Sequence, residues 1–189
     1  MNRAEKRRQR KLTGRTANKG PRKKFGGTQQ ALELAIQHYT AGDLPEAEDV
    51  CRDILQTDPN QPVALQMLGV IALQSGKNDI AAKYIQKAIE TNPGDADGHS
   101  NLGLALQNLG RLEESAASYR KAIDIRPGFA EAHNNLGNVL RNQGRLDEAV
   151  ASIQRALALA PDLVEAHINL GNTRKSQRRV DDAAEAYRR

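Results

Sequence analysis

The sequence predicts an all-α superhelical solenoid of stacked helix pairs behind a basic arm, and three observations carry that prediction. Four columns of residues recur every 34 positions without an insertion. Between them, apolar residues keep the three-and-four spacing of amphipathic helices. The aromatic share is 3% with no Trp, so a core must come from Ala, Leu, Ile and Val, which suits close helix packing.

The columns are taken first, because a missed period misassigns the whole fold. Gly42, Gly76, Gly110 and Gly144 form one, and Gly69, Gly103, Gly137 and Gly171 a second. Pro59, Pro93, Pro127 and Pro161 form a third, and Ala47, Ala81, Ser115, Ala149 and Ala183 a fourth.

Each unit reads as two helices. Leu102, Ala105, Leu106 and Leu109, and then Leu136, Val139 and Leu140, mark the first, helix A. Gly110 and Gly144 end it, since the residue after a helix commonly turns left-handed. Glu113 and Glu114, or Asp147 and Glu148, then open helix B at the positive end of its dipole. Ala116, Tyr119, Ala122 and Ile123, or Ala149, Ile153, Ala156 and Leu157, give helix B its apolar face, and Pro127 and Pro161 stop it. A Gly inside helix A costs about 1 kcal/mol against Ala. Its recurrence at Gly103 therefore predicts that helix B of the same unit packs on that spot. The Ala149 and Ala183 column reads the same way, with Ser115 tolerated by a hydroxyl bond back to the preceding turn.

Leu and Gly in helix A, with Ala, an aromatic or aliphatic residue, Ala and Pro in and after helix B, resemble the tetratricopeptide repeat. The third copy carries the match in Leu102, Gly103, Gly110, Tyr119, Ala122 and Pro127, and the fourth in Leu136, Gly137, Gly144, Ala149, Ala156 and Pro161. The resemblance covers residues 28 to 189, in units 28–61, 62–95, 96–129, 130–163 and 164–189. The first unit departs most, with Ala35 for Gly, Ile54 for Ala and Pro45 near the start of helix B, as befits a terminal repeat. The last is incomplete. The expectation is that the chain is the front of a longer one, or that its uncapped end associates with a second copy. The resemblance implies a right-handed superhelix whose A helices line the concave face.

In that family, positions 2, 5, 6, 9, 12 and 13 of each unit point into the groove. Position 6 is Asn101, Asn135 and Asn169 in units three to five, and position 9 adds Asn138 and Asn172. A carboxamide offers donors and an acceptor without charge, so this ladder can pair with the backbone of an extended peptide of any sequence. Similar ladders occur in the arms of O-linked N-acetylglucosamine transferases and in co-chaperones. The alternative is that these residues bond within and between neighbouring A helices. Units one and two place Leu32, Ile36, Tyr39, Met67, Val70 and Leu73 in the groove, which predicts an apolar end. Either a peptide's hydrophobic segment or the chain's own residues 1 to 27 would cover it.

His99, His133 and His167 share position 4 of successive units. Packed helix axes lie about 8–10 Å apart, far more than the roughly 2 Å that zinc needs, so no metal is predicted and these rings read as bulk. Cys51, the single cysteine, reads as a small buried hydrophobe in a reducing, cytoplasmic setting. No phosphate-binding loop, nucleophile elbow or cysteine pair occurs, and Asp181 and Asp182 read as helix-start residues. No catalysis and no cofactor are predicted within these residues. No uncharged apolar run is long enough to span a membrane.

The net charge of +5 hides two halves. Residues 1–27 hold eleven Lys or Arg against Glu5 alone, a net +10, whereas the rest hold seventeen bases and twenty-two acids, a net −5. Arg7, Arg8, Arg10, Lys11, Arg22, Lys23 and Lys24 have almost nothing apolar around them, so the arm is predicted to be disordered. It suits nucleic acid, anionic lipid or an acidic protein, or else serves as a solvated tail. Three functions follow in order: a scaffold that holds an extended polypeptide, the substrate-recruiting arm of a glycosyltransferase or sulfotransferase whose catalytic part lies beyond Arg189, and nucleic-acid binding through the arm.

Overall fold

The computed structural model describes residues 27–178 and 186–187. These residues form nine long α-helices and no strand. They come as antiparallel pairs: α1 Thr28–Ala41 with α2 Leu44–Thr57, α3 Pro62–Gln74 with α4 Asn78–Thr91, α5 Ala96–Asn108 with α6 Leu112–Ile125, and α7 Ala130–Asn142 with α8 Leu146–Leu159. Helix α9, Val164–Ser176, follows, and Ala186 and Tyr187 are helical.

The turn between the members of a pair is built by glycine. Gly42, Gly76, Gly110 and Gly144 have φ of 83°, 70°, 75° and 77°, the left-handed region that costs a side chain energy. At Gly110 the chain closes with Gly110 N–H donating to Gln107 O at 2.9 Å and Arg111 N–H to Leu106 O at 2.9 Å, which satisfies carbonyls the helix end would leave open. The fifth turn departs from the pattern, since Arg178 takes the same conformation at φ 62°. Acids stand in the first turn of α2, α4, α6 and α8.

Within a pair the helices approach as closely as the Gly column predicts. A Cβ on Gly103 would lie 2.9 Å from ring carbons of Tyr119, and Gly69, Gly137 and Gly171 face Ile85, Ile153 and Tyr187 in the same way. Ala47, Ala81 and Ala149 are fully buried on the opposing helices, and Ala183 lies outside the described residues. Ser115 corrects the sequence reading. Its hydroxyl donates to the carbonyl of Gly103 at 2.7 Å, across the pair and not back to its own turn. The bond joins α5 to α6.

The core is a chain of clusters, one at each junction of pairs. Ala31, Ala35, Cys51, Ile54, Ala64 and Leu68 join α1, α2 and α3. Ala72, Ile85, Ile89, Leu102 and Leu106 join α3, α4 and α5, and Tyr119, Ala132, Leu136 and Val139 do so further along. From α3 onward, successive first helices also touch one another (α3 with α5, α5 with α7, α7 with α9), whereas successive second helices have no contact of comparable extent. Crowding on one side is how a stack of pairs curves. The first helices therefore form the inner wall of a superhelical solenoid.

Candidate binding groove

The inner wall changes character along its length. At the first end, Tyr39 and Gln74 tie α1 to α3, with Gln74 Nε2 donating to Tyr39 Oη at 2.9 Å. Beside them opens a cavity of about 290 Å³, lined by Tyr39, Pro62, Val63, Gln66, Met67 and Val70 and closed by Ala88, Asn92 and Asp95. Behind its floor, Cys51 Sγ lies 3.4 Å from Met67 Sδ. Cys51 is fully buried, and that burial pushes its thiol up to about 11. A thiol that stays protonated at neutral pH is no nucleophile.

Of the six apolar residues assigned to the groove, Tyr39, Met67 and Val70 line this cavity. Ile36 stands beside them on α1, 44% exposed. Leu73 is half-buried and packs against the core between α3 and α5. Leu32 is a core residue, 8% exposed, because position 5 turns under the neighbouring pair and not into the hollow. Leu104, at position 9 of the third unit, is 38% exposed and carries the apolar stripe of Ile36 and Val70 one unit further. Its register with those two residues was the signal in the sequence.

Further along, the asparagines are partly engaged. Asn169 Nδ2 donates to Asn134 Oδ1 at 2.9 Å, joining α9 to α7, and Asn134 Nδ2 approaches Asn135 Oδ1 at 3.5 Å. Asn138 Oδ1 accepts from Arg141 Nη2 at 2.6 Å, and Asn172 Oδ1 accepts from the Tyr187 hydroxyl at 2.8 Å. The side chain of Asn101 makes no hydrogen bond among the described residues. The network turns on Asn134, 5% exposed, which the sequence reading missed because it sits at position 5 outside the ladder. Asn138 and Asn172 thus spend an oxygen lone pair internally and keep their amide N–H groups, and Asn169 spends a donor.

The histidines do more than fill space. Nε2 of His99, His133 and His167 donates to the carbonyl oxygens of Pro93, Pro127 and Pro161 at 3.1, 3.2 and 2.8 Å. Each ring pins the turn that enters its own unit. Among the described residues no group of three or more His, Cys, Asp or Glu could hold a metal ion, and no helix is long and apolar enough to cross a membrane. Asp181, Asp182 and residues 1–26 of the basic arm lie outside the described residues.

Three family profiles described as Tetratricopeptide repeat match residues 29–53, 67–128 and 130–163, more than half of the sequence between them. The chain belongs to the tetratricopeptide repeat family. No curated protein matches it in sequence. Among solved structures it is similar to TTC0263, a thermophilic tetratricopeptide repeat protein of Thermus thermophilus, at 27% identity and a TM-score of 0.68, covering 86% of this chain and 89% of that one. It is similar in fold to YrrB, described as a tetratricopeptide repeat protein with an unusual peptide-binding site, at 21% identity, TM-score 0.74, and 85% and 82% coverage. MamA of Desulfovibrio magneticus shares the fold at 18% identity, TM-score 0.79, and 85% and 91% coverage.

Proposed function

We propose that this tetratricopeptide repeat protein is a protein-interaction scaffold that holds an extended polypeptide along the wall formed by α1, α3, α5, α7 and α9. The observation that carries the reading is the junction of two surfaces on one wall. An apolar cavity at Tyr39, Met67 and Val70, with exposed Ile36 on α1 and Leu104 on α5, precedes amide donors at Asn101, Asn135, Asn138 and Asn172 on α5, α7 and α9. Apolar side chains anchor in the first, and the carbonyls of an extended backbone pair with the second. The peptide-binding site attributed to YrrB, on the same fold, supports the reading.

On this reading the solenoid comprises the units 28–61, 62–95, 96–129, 130–163 and 164–189, and residues 1–27 are a separate basic arm that attracts acidic partners or nucleic acid. The lone buried Cys51 fits a reducing cytoplasm. No residue group described above has the geometry of a nucleophile and base, so the role of these residues in any larger enzyme would be to recruit its substrate.

The test is a peptide library panned on the protein, with the selected peptide measured by fluorescence anisotropy. Met67→Asp with Val70→Asp should abolish binding while far-ultraviolet circular dichroism stays unchanged, because both side chains are only half-buried on the wall. Unaltered affinity in that double variant would dispose of the groove.

A further inference from the structure

We propose that the outer face of α2 is the docking surface for the chain's own basic arm, residues 1–26, which the stripe Glu46, Asp49 and Asp53 holds there. The inference concerns the arm alone. It stands apart from the peptide-binding wall, which the first helices form on the inner side of the solenoid.

The negative charge of the solenoid is not spread along it. Residues 43–58 hold six acids against Arg52, a net −5, and the rest of the chain from residue 28 holds sixteen acids and sixteen bases. The whole excess therefore lies on α2 and its two caps, Asp43 and Asp58. Glu46 and Asp49 are exposed and Asp53 is half-buried, at the spacing that puts them on one helical face. Arg52 pairs with Glu48 and Asp49, and Asp53 Oδ1 accepts from Gln56 Nε2 at 3.2 Å. Glu46 and Asp53 form no ion pair among the described residues. Asp53 and Asp58 also crowd the negative end of the α2 dipole, whose last turn holds no base. Such a face is short of a cation.

The register of the repeat says which cation. Position 26 of the unit is Lys87, Lys121, Arg155 and Arg189 in the later copies, and Asp53 in the first. In the second unit its use is visible: Lys87 Nζ donates at 2.7 Å to the carbonyl of Pro59, in the turn that enters that unit. Position 26 thus faces the entering chain. The residue of the first unit that corresponds to Pro59 is Phe25, and Arg22, Lys23 and Lys24 precede it. The sign of position 26 is inverted in the one unit whose entering chain is basic. Because α1 and α2 are antiparallel, the arm leaves Thr28 beside the Asp53 end of α2 and meets Asp49 and Glu46 by turning back along it. The helix is about 21 Å long, a span that about seven extended residues cover. The tether holds the arm at an effective concentration of about millimolar.

Other pairings fit less well. No group of three or more His, Cys, Asp or Glu among the described residues could hold a metal ion, and the arm has too few apolar residues to fill the cavity at Met67. An arm held on α2 meets an outside polyanion only by leaving that helix.

The arm's own cleavage sites report docking. The full chain is digested with dilute trypsin at about 0.02 M and about 1 M salt, and cuts after Arg22, Lys23 and Lys24 are followed by mass spectrometry. A synthetic peptide of residues 1–26 sets the rate for an unprotected arm. At low salt the protein should be cut about tenfold more slowly than the peptide, since cleavage tracks the population of the free arm. Exposed ion pairs are weak singly, which keeps the factor modest. Glu46→Gln with Asp49→Asn and Asp53→Asn should remove the protection. Glu113→Gln with Asp124→Asn and Asp162→Asn changes the net charge equally away from α2, and should alter the rate by less than about twofold. At high salt all three proteins should be cut like the peptide. Circular dichroism and urea midpoints check that both variants fold.

Equal cutting of the unmodified protein and the peptide at low salt, or equal effects of the two triple variants, overturns the proposal. Protection that grows with protein concentration assigns the arm to the α2 of a second copy and overturns the assignment to its own chain. Protection that survives in the α2 variant but is lost with Met67→Asp and Val70→Asp puts the arm in the groove and overturns it too. Binding of selected peptides to the inner wall is measured separately and is decided by none of these results.

Discussion

Replacing Gly137 with Ala sets two effects of known size against each other. Ala is the better helix former by about 1 kcal/mol, so in an exposed helix the change would stabilise. On α7 it meets α8. A Cβ there would lie 3.0 Å from the carbonyl oxygen of Ala149 and closer still to Ile153 Cγ1. Ile153 and Ala149 are both fully buried, and the second contact is backbone, so neither can swing aside. Overpacking of this kind costs about 1–3 kcal/mol, and the net expectation after the propensity gain is a loss of about 0–2 kcal/mol. Urea unfolding followed by circular dichroism should show a lower midpoint with an unchanged slope. The decisive comparison is the background. With Ile153→Ala, most of the obstruction is gone, and Gly137→Ala should cost nothing or stabilise by up to about 1 kcal/mol. If Gly137→Ala raises the midpoint in the unmodified protein, the column of small residues does not record close approach.

Three further outcomes are expected. Arg178→Gly, which removes a side chain from a left-handed residue, should stabilise by about 1 kcal/mol and raise the melting temperature by about 2–4 °C in differential scanning calorimetry. Ser115→Ala should destabilise the fold by about 0.5–1.5 kcal/mol through loss of the bond to Gly103 O, seen as a lower urea midpoint; a rise would mean that Ala is simply the better fit for its column. Burial raises the Cys51 thiol from 9.0 to about 11, so its protonated form stabilises the fold fully below pH 9 and this contribution fades as pH climbs toward 11. Midpoints measured at pH 8 and pH 10 should fall more steeply in the unmodified chain than in Cys51→Ala, and in the native protein a thiol reagent should react slowly at pH 8.

What could be read from the sequence was whatever backbone geometry demands of a residue type. A left-handed turn at Gly144 and a helix crossing at Gly137 each admit essentially one solution, so their recurrence exposes the helix pairs without any knowledge of contacts. Helix starts at Thr28, Pro62, Ala96, Ala130 and Val164 keep the same interval. Side-chain partners carry no such mark. Ser115 could bond to its own turn or to Gly103, and only the distance between α5 and α6 decides. The ring nitrogen of His133 finds the carbonyl of Pro127 because the entering turn folds back over α7, a closure that periodicity does not reveal. Leu32 and Ile36 sit one turn apart on α1 with the same apolar character, yet the curvature of the stack covers one and leaves the other open.

The asparagine ladder shows where that limit bears on function. Read as isolated carboxamides, Asn135, Asn138, Asn169 and Asn172 offer donors and acceptors alike and could pair with either half of a peptide bond. Arg141 and Tyr187 break that symmetry by occupying the oxygens of Asn138 and Asn172 and Asn134 approaches that of Asn135, whereas Asn169 spends a donor on Asn134, so the balance of the remaining groups leans toward N–H. Backbone carbonyls are common to every sequence, and a wall of donors therefore cannot choose among peptides. On the proposed reading, selectivity falls to the other end of the wall, where apolar contact around Tyr39, Met67 and Val70 discriminates between side chains. Losing Asn135 and Asn138 to Ala should accordingly weaken all bound peptides by a similar factor, whereas changes at Met67 should reorder them.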